Sequence, residues 1–223
     1  MKDCIIITAG GTGTRFRSDL PKQFVLLKGK PILMNTVQRF YDVNNEFKFI
    51  LTLPSEHTEL WKQKCDEFNF DIAHQIVKGG STRFHSVKNA VQCIKDARLV
   101  GIHDGVRPLV SSKTIKTLFE TALEKGNAVA SQDIFFSIRN IINTASFSVN
   151  RDEYKEIQTP QVFQYSILKE AYSVDFASEF TDDAAVVEKT GVKINLVSGN
   201  RENIKITTEQ DLRIAEALWN TVF

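Results

Sequence analysis

Short runs of β-branched residues alternate with amphipathic segments along most of the chain, and this alternation constrains the fold more than any other feature. The runs typical of buried strands are Asp3–Thr8, Lys48–Leu53, Ala73–Val77 and Leu99–His103. The segments with helical periodicity are Pro31–Tyr41, Glu56–Phe68, Arg83–Ile94 and Thr114–Lys125, the last followed by Gly126 as a C-terminal cap. Such alternation predicts an α/β fold, Rossmann-like, in which a mostly parallel sheet has helices on both faces.

Residues 134–158 interrupt this pattern. They lack a helical period and contain two extended runs, Ile134–Asn143 and Phe147–Arg151, which are separated by the turn-like segment Asn143–Ser146. We therefore expect a β-hairpin arm inserted in the α/β body. A protruding arm needs a surface to lie against. A second copy of the chain, giving a homodimer, is the simplest candidate, and an arm folded back on its own domain is the alternative.

The remainder of the chain returns to alternating elements. Helices are predicted at Ser166–Phe176, Asp182–Thr190 and Glu209–Asn220, and strands at Val192–Val197 and Ile204–Thr207. Thr208 and Asp211 have the spacing of a capping box at the start of the last helix. Neither a repeat nor a linker divides the sequence, so residues 1–223 are expected to form a single domain.

Composition limits the classes of function. Lys and Arg total 28 and Asp and Glu total 27, giving a formal net charge of +1, so a nucleic-acid partner is not expected. The longest apolar runs, such as Cys4–Ile7 and Phe49–Leu53, are far too short to span a bilayer, so no membrane association is expected either. The three cysteines lack CxxC spacing and no signal peptide is evident, which favours a reducing, cytoplasmic setting.

The most informative segment follows the first strand and reads Ala9-Gly10-Gly11-Thr12-Gly13-Thr14-Arg15-Phe16. Glycines let the backbone approach a ligand closely, and their N–H groups can form a nest for an anion. The loop is not a Walker A motif, because no Gly-Lys-Ser/Thr closes it, and it is not GxGxxG, because Phe16 stands where the third glycine belongs. Instead, two cations flank it, Arg15 and the lysine of Leu20-Pro21-Lys22-Gln23-Phe24. They suit a triphosphate, because cations neutralise charge that builds up on the phosphoryl oxygens during transfer.

Further motifs follow in a fixed order. They are Gly79-Gly80-Ser81-Thr82-Arg83-Phe84-His85-Ser86-Val87, His103-Asp104-Gly105-Val106-Arg107-Pro108, Thr159-Pro160-Gln161, Thr181-Asp182 and Asn203-Ile204-Lys205-Ile206-Thr207. Together with the first loop they resemble the 2-C-methyl-D-erythritol 4-phosphate cytidylyltransferase family, from Ile5 to about Leu218. This resemblance implies an Mg²⁺-dependent nucleotidyltransferase of isoprenoid precursor synthesis. The expected reaction transfers a cytidylyl group from CTP to the polyol phosphate and releases pyrophosphate.

The resemblance also implies a role for each matching residue. Arg15 and Lys22 are expected to stabilise the transition state, and the expected CTP-binding residues are Ala9, Gly10, Gly11, Gly13, Thr14, Gly80, Ser81, Ser86 and Gly105. On the acceptor side, Arg151 and Lys205 are expected to orient the substrate phosphate. The expected acceptor-binding residues are Asp104, Arg107, Ser137, Thr159 and Thr181. Family members are dimers whose arms reach the neighbouring site, so Arg151 is expected to act in trans.

Some assignments have structural alternatives. Ser81 or Thr82 is suited to cap the following helix, and Thr181 to cap the helix that starts beside Asp182. Asp104 is also a candidate ligand for Mg²⁺, since this hard cation prefers carboxylate and phosphate oxygens. No nucleophile–base pair is expected, because the attacking group is the acceptor's own phosphate, which is already anionic and needs only positioning.

The acceptor itself has alternatives. Phe136 and Ser137 stand where the family usually has Asp and Thr, and Gly105-Val106 replaces a more usual Ala-Ala pair. A similar family makes CDP-ribitol from ribitol 5-phosphate and often has valine at the position of Val106. Ribitol 5-phosphate is therefore the first alternative acceptor. A non-catalytic nucleotide-binding protein is the second alternative function, and the retained cations Arg15, Lys22, Arg151 and Lys205 argue against it.

Overall fold

A seven-stranded sheet forms the centre of the molecule in a computed structural model that describes residues 1–11, 16 and 20–222. Its strand order is β11-β7-β10-β6-β1-β4-β5. These strands are β1 (Cys4–Thr8), β4 (Lys48–Leu53), β5 (His74–Lys78), β6 (Leu99–Asp104), β7 (Asn127–Asp133), β10 (Lys155–Gln164) and β11 (Leu196–Ser198). Two small ribbons lie outside it, β2 (Leu26–Leu27) with β3 (Lys30–Pro31), and β8 (Arg139–Ile142) with β9 (Ala145–Ser148).

The sheet is mostly parallel, as predicted. β1 pairs in parallel with β4 and β6, β4 with β5, and β7 with β11, whereas β10 runs antiparallel to both of its neighbours. A strand buried on both faces needs a continuous apolar run, and β1 supplies one with Ile5, Ile6 and Ile7, each fully buried.

Helices cover both faces of the sheet. They are α1 (Ile32–Val43), α2 (Thr58–Glu67), α3 (Arg83–Cys93), α4 (Ser112–Lys125), α5 (Tyr165–Ala171), α6 (Asp183–Glu188) and α7 (Glu209–Val222). Ile5 and Ile7 share one core cluster with residues of α1, α2 and α4, and Ile6 shares a second with residues of α3, α5 and α6. None of the helices in the described part of the chain combines the length and apolar character that crossing a membrane requires.

Two predicted helix ends are confirmed. Gly126 ends α4 at φ +89°, a backbone conformation that disfavours any residue with a side chain. At the start of α7 the backbone N–H of Thr208 donates to Asp211 Oδ2 at 2.8 Å. In return the N–H of Asp211 donates to Thr208 Oγ1 at 3.2 Å, which completes the predicted capping box.

Other predictions of local structure were wrong. Residues 204–207 form no strand, because they run beside the loop after β6, where Ile206 N–H donates to the carbonyl of Val106 at 2.9 Å. The helix predicted at Ser166–Phe176 ends at Ala171, and the strand predicted at Val192–Val197 forms only at Leu196–Ser198. Two strands were missed. β7 has mostly small side chains, and the first half of β10 falls in the predicted arm.

The arm is built differently from its prediction. The hairpin β8–β9 turns at Asn143-Thr144, because Ile142 pairs with Ala145. Residues 155–158 belong to β10, which pairs with β7 so that Lys155 lies opposite Asp133. The hairpin therefore projects beyond a long antiparallel pair that is continuous with the central sheet.

Candidate active site

The site lies where the chain reverses its direction across the sheet. From β1 the chain proceeds outward to β4 and β5 and then returns to β6 on the other side of β1. In open α/β sheets such a switch point leaves a crevice at the carboxyl ends of the strands, where ligands bind. Thr8 and Asp104 are register partners at these two strand ends, so the glycine-rich loop and the loop after β6 start side by side.

A cavity of about 420 Å³ separates the glycine-rich loop from the start of α3. Its lining includes these predicted nucleotide-binding residues: Ala9, Gly10, Gly11, Lys22, Gly80, Ser81 and Ser86. Gly13, Thr14 and Arg15 lie outside the described residues. Gly105 is buried behind the cavity, where a Cβ would lie 2.9 Å from Leu33 Cδ1, so close packing is a sufficient reason for glycine there.

The two glycine segments meet at Ser86. The Gly80 N–H donates to Ser86 Oγ at 3.0 Å, and a Cβ on Gly80 would lie only 2.3 Å from the Cβ of His85. On the opposite wall, a Cβ on Gly10 would be 3.7 Å from the same hydroxyl. The residue that caps α3 is Thr82, whose Oγ1 accepts from His85 N–H at 3.3 Å. Capping therefore does not account for Ser81, which is exposed and lines the cavity.

Lys22 is held against the glycine-rich loop by its neighbour in sequence. A short 3-10 helix, Lys22–Phe24, follows Pro21, and the Gln23 side chain donates to the carbonyl of Ala9 at 3.0 Å. Lys22 is 9% exposed, and its Nζ is 3.9 Å from the Cβ position of Gly11. An ammonium group beside loop backbone is suited to bind phosphate oxygens. Sequence reasoning did not identify Gln23 as the residue that ties these segments together.

Four charged residues form a group that we call the Asp104 cluster: Asp104, Arg83, Arg107 and Lys205. Lys205 Nζ and Arg107 Nε lie 2.9 and 3.3 Å from Oδ2 of the aspartate, and Arg83 Nε lies 3.5 Å from Oδ1. Burial alone would raise the pKa of the Asp104 carboxyl, but the charges of Arg83, Lys205 and Arg107 hold that pKa well below its usual range. The carboxylate is therefore ionised near pH 7.

A second cavity of about 280 Å³ adjoins the first on the side of β10. Its lining includes the predicted acceptor residues Asp104, Arg107, Thr159, Thr181 and Lys205, together with Ile157, Gln158, Gln161 and Asp182. Arg83, Asp104 and Lys205 line both cavities. The hydroxyl of Thr159 accepts from Asp104 N–H at 3.1 Å, and Arg107 Nη1 donates to the carbonyl of Asn203 at 2.7 Å. The cap of α6 is Asp182, so helix capping does not account for Thr181.

Two predicted site residues stand apart from these cavities. Ser137 and Arg151 are exposed on the arm, and neither lines either cavity of the chain that bears them. Arg151 Nη1 donates to the carbonyl of Phe135, so its contacts lie within the arm. Within one chain, these two residues are therefore not part of the Asp104 cluster, although Ile157 and Gln158, at the end of the segment predicted as the arm, line the second cavity.

His103 supports the loop after β6 from the core. It is fully buried, and its Nε2–H donates to the carbonyl of Arg107 at 2.9 Å. Burial lowers the pKa of His103 to about 4, so the ring is neutral near pH 7. His103 therefore lies behind the site, where the ring fixes the backbone of Arg107.

The described residues do not fit a resident metal ion. Across residues 1–11, 16 and 20–222, no group of three or more His, Cys, Asp or Glu side chains is arranged to hold one. Asp104, the predicted ligand, already has three cations around its carboxylate. A divalent cation at this point would be repelled by all three side chains, unless phosphate oxygens came with it.

Arg83 is the main site residue that sequence reasoning missed. It opens α3, where the helix dipole disfavours a cation, and a carboxylate partner is needed to balance it. That mismatch between charge and position was the available signal. The partner, Asp183, is distant in sequence, so the pairing itself was not predictable from spacing.

Comparison with known proteins gives a consistent result. Residues 4–221 match the family described as 2-C-methyl-D-erythritol 4-phosphate cytidylyltransferase. The enzyme of that name from Bacteroides thetaiotaomicron is 47% identical over 218 residues, covering 98% of this chain and 100% of the relative. Its counterpart from Clostridium novyi is 33% identical and covers 99% of this chain and 98% of the relative.

Solved structures agree with the sequence matches. The 4-diphosphocytidyl-2C-methyl-D-erythritol synthase from Anaerococcus prevotii has a TM-score of 0.84 and 25% identity, covering 98% of this chain and 96% of the other. The 2-C-methyl-D-erythritol 4-phosphate cytidylyltransferase from Francisella tularensis has a TM-score of 0.80 and 29% identity, with 97% and 99% coverage.

Proposed function

Because this chain belongs to the 2-C-methyl-D-erythritol 4-phosphate cytidylyltransferase family, we propose that it transfers the cytidylyl group of CTP to 2-C-methyl-D-erythritol 4-phosphate. The products are 4-CDP-2-C-methyl-D-erythritol and pyrophosphate, and the reaction belongs to isoprenoid precursor synthesis. One observation supports this assignment above the others. A cavity edged by the glycine-rich loop adjoins a polar cavity, and Arg83, Asp104 and Lys205 line both.

The nucleotide occupies the first cavity in this proposal. We assign binding of the phosphates to the backbone N–H groups of the glycine-rich loop, and contacts with the cytidine to Gly80, Ser81 and Ser86. Lys22 and Arg15 neutralise the charge that develops on the α-phosphoryl oxygens and on the departing pyrophosphate. Gly105, one of the expected CTP-binding residues, lies behind the nucleotide in this proposal, where it allows the strand ends to pack closely.

The acceptor occupies the second cavity. Asp104 accepts hydrogen bonds from the polyol hydroxyls, and Arg107, Thr159 and Thr181 complete the pocket. An oxygen of the acceptor phosphate attacks the α-phosphorus of CTP and forms a new phosphoanhydride bond. The bond from the α-phosphorus to the bridging oxygen breaks, and its electron pair leaves with pyrophosphate. No proton has to be removed from the nucleophile, so positioning and charge neutralisation suffice.

We assign the orientation of the acceptor phosphate to Lys205 and to Arg151 of a second subunit. Lys205 is 41% exposed at the edge shared by the cavities, so its ammonium group is accessible to a ligand. Arg151 and Ser137 line neither cavity of their own chain, which supports a homodimer in which each arm completes the other site. Exposed apolar side chains on the arm, among them Phe136 and Ile141, favour the same arrangement.

Magnesium enters this proposal as part of the nucleotide substrate. CTP carries the phosphate oxygens that a hard divalent cation prefers, whereas Asp104 is already neutralised by three cations. Asp104 is therefore assigned to the acceptor rather than to the metal. We further place the enzyme in the cytoplasm, in keeping with its free cysteines Cys4, Cys65 and Cys93.

Pyrophosphate release tests the proposed reaction. The full chain is incubated with CTP and Mg²⁺ and, in separate reactions, with methylerythritol 4-phosphate, ribitol 5-phosphate or no acceptor. Release with methylerythritol phosphate alone is the expected result. Release only with ribitol phosphate would mean that ribitol 5-phosphate is the acceptor. No release with either acceptor would favour a non-catalytic nucleotide-binding protein.

A pair of arginine variants tests the acceptor pocket in the same assay. Arg107→Gln is expected to raise the acceptor KM at least tenfold, because the loss of one hydrogen bond to a charged group has an effect of about this size. Arg98→Gln is the matched control, because Arg98 pairs with Asp3 at the amino ends of β6 and β1, whereas the site lies at the carboxyl ends. Equal effects of the two substitutions would contradict the assignment of the pocket.

A further inference from the structure

Arg83 contacts two carboxylates at once. Its Nη1 and Nη2 donate to Oδ1 and Oδ2 of Asp183 at 2.8 and 2.7 Å, a bidentate pair, while Nε lies 3.5 Å from Asp104 Oδ1. Bidentate pairing fixes the plane of a guanidinium as well as its position. The direction of Nε toward Asp104 is therefore set from the Asp183 side.

Asp183 is built to hold this arginine. Its side chain is fully buried, and Tyr172 donates its hydroxyl to the same Oδ1 at 2.6 Å. Tyr172 is itself buried and stacks on Phe84, with ring centroids 5.1 Å apart. A buried carboxylate is tolerated only when it is paired and hydrogen-bonded, so this geometry leaves Asp183 little freedom.

Neither Asp183 nor Tyr172 lines either cavity of the site. The side-chain bonds of Asp183 and Tyr172 therefore connect to the cavities through Arg83. Arg83 in turn acts on Oδ1 of Asp104, whereas Arg107 and Lys205 contact Oδ2. Because cations hold both oxygens, the carboxylate cannot rotate without losing one of these contacts.

We infer that Arg83 is a positioning residue that sets the orientation of Asp104, and that Asp183 and Tyr172 hold Arg83 in place from the buried side. The inference rests on the proposed function, in which Asp104 binds the acceptor hydroxyls. It assigns the three residues to acceptor binding rather than to binding of the nucleotide. A network that served the fold alone would change stability without separating the two substrates.

Two tyrosine variants of the full chain provide a matched test. Tyr172→Phe removes the hydroxyl that bonds Asp183, and Tyr165→Phe removes a hydroxyl that bonds the carbonyl of Ile94, away from both cavities. Tyr172→Phe is expected to raise the acceptor KM about three- to tenfold, with the CTP KM changed less than twofold. Tyr165→Phe should leave both KM values unchanged. Equal acceptor KM values in the two variants would overturn the inference.

A double-mutant cycle shows whether the effect passes through Asp104. Asp183→Asn is expected to raise the acceptor KM more than tenfold when Asp104 is present, and less than threefold in the Asp104→Asn background. Additive effects would overturn the inference, because they would mean that Asp183 acts independently of Asp104. If Asp183→Asn does not fold, the comparison of acceptor KM between Tyr172→Phe and Tyr165→Phe tests the inference.

The same assays separate this inference from the proposed function. A wild-type protein that uses no polyol phosphate would overturn the proposed function, and the inference with it. The inference alone would be overturned if the wild-type protein uses methylerythritol phosphate but the two tyrosine variants have equal acceptor KM values, or the effects in the double-mutant cycle are additive.

Discussion

The Asp104 cluster and the arm differ in how their side chains are satisfied. In the cluster, the Asp104 carboxylate has three cationic partners and accepts from the Thr8 hydroxyl, and the backbone N–H of Asp104 donates to the Thr159 hydroxyl, all within the same chain. In the arm, large apolar side chains are exposed to solvent, since Phe136 is 80% and Ile141 is 63% exposed. A buried polar group that has its hydrogen-bond and ionic partners needs no further contact, whereas exposed apolar surface on a hairpin is stabilised by packing against another surface.

This difference indicates which parts of the function one chain can provide. The cluster belongs to a packed body, where each position is fixed by several neighbours. An isolated two-stranded hairpin is only marginally stable in water, so β8–β9 needs another surface. We expect changes in the body to affect the chemistry of the same chain, and changes in the arm to affect association or the site of the partner.

Lys22 gives the largest expected effect within the body. Lys22→Met removes the ammonium group beside the glycine-rich loop while keeping a long side chain, and kcat should fall by roughly 10²–10³-fold. Lys30→Met is the control, because Lys30 is exposed in the β2–β3 ribbon and lines neither cavity. Single-turnover release of pyrophosphate measures the effect. A decrease in kcat of less than tenfold in Lys22→Met would contradict the role of Lys22.

Mixed dimers test whether the arm completes a site that the body cannot complete alone. Arg151→Ala and Lys22→Met are each expected to be nearly inactive as homodimers. Coexpressed with two affinity tags, they give mixed dimers in which one site keeps its own Lys22 and receives an intact Arg151 from the partner. These dimers should recover about half of the wild-type rate, since one of two equivalent sites is restored. No recovery would mean that Arg151 acts on its own chain.

Charge placed on the arm should weaken association. Ile141→Asp puts a carboxylate on the exposed apolar surface, and the dimer dissociation constant should rise about a hundredfold because that charge loses its water on assembly. Leu123→Asp is the control, since Leu123 on α4 is similarly exposed but lies in the body. Sedimentation velocity over a concentration series measures both. An unchanged constant for Ile141→Asp would exclude this face of the arm from the interface.

The same contrast explains what the sequence could predict. Strands such as Lys48–Leu53 have strong local patterns, and their bounds were predicted correctly. β10 was missed because it bridges body and arm, with exposed Lys155 and Glu156 at one end and buried Val162 and Phe163 at the other. A strand whose surroundings change along its length has no single period.

Site residues followed a similar rule. Motifs contiguous in sequence placed Lys22, Gly80 and Asp104 at one crevice, because each follows a strand end or opens a helix there. The contact between Arg83 and Asp183 spans 100 residues and depends on how α3 and α6 pack, which local patterns do not encode. The four residues 204–207 were misassigned as a strand for the same reason, since Ile206 bonds the loop after β6.

His103 tests how strongly the body depends on a buried neutral ring. Its pKa is lowered to about 4 in the folded protein, against 6.5 ordinarily, so the unfolded chain binds more protons between these values. Stability from the neutral ring is therefore complete above about pH 6.5 and is lost as pH falls, by about 2 kcal/mol at pH 5. Urea unfolding of wild type and His103→Gln measures it. The variant should show a flatter pH dependence, and parallel curves would contradict the assignment.

The smallest expected effect separates body from arm by using two asparagines with positive φ. Asn143 turns the hairpin at φ +55°, and Asn69 follows α2 at φ +50°. Alanine at either position meets a steric cost of about 1 kcal/mol. In the body that cost should appear in the free energy of unfolding, so Asn69→Ala lowers stability and leaves the dimer constant unchanged. In the arm it should appear in association, so Asn143→Ala weakens the dimer about fivefold with little change in monomer unfolding. The opposite result for Asn143→Ala would mean that the hairpin packs on its own domain, because only then does its turn contribute to the stability of one chain.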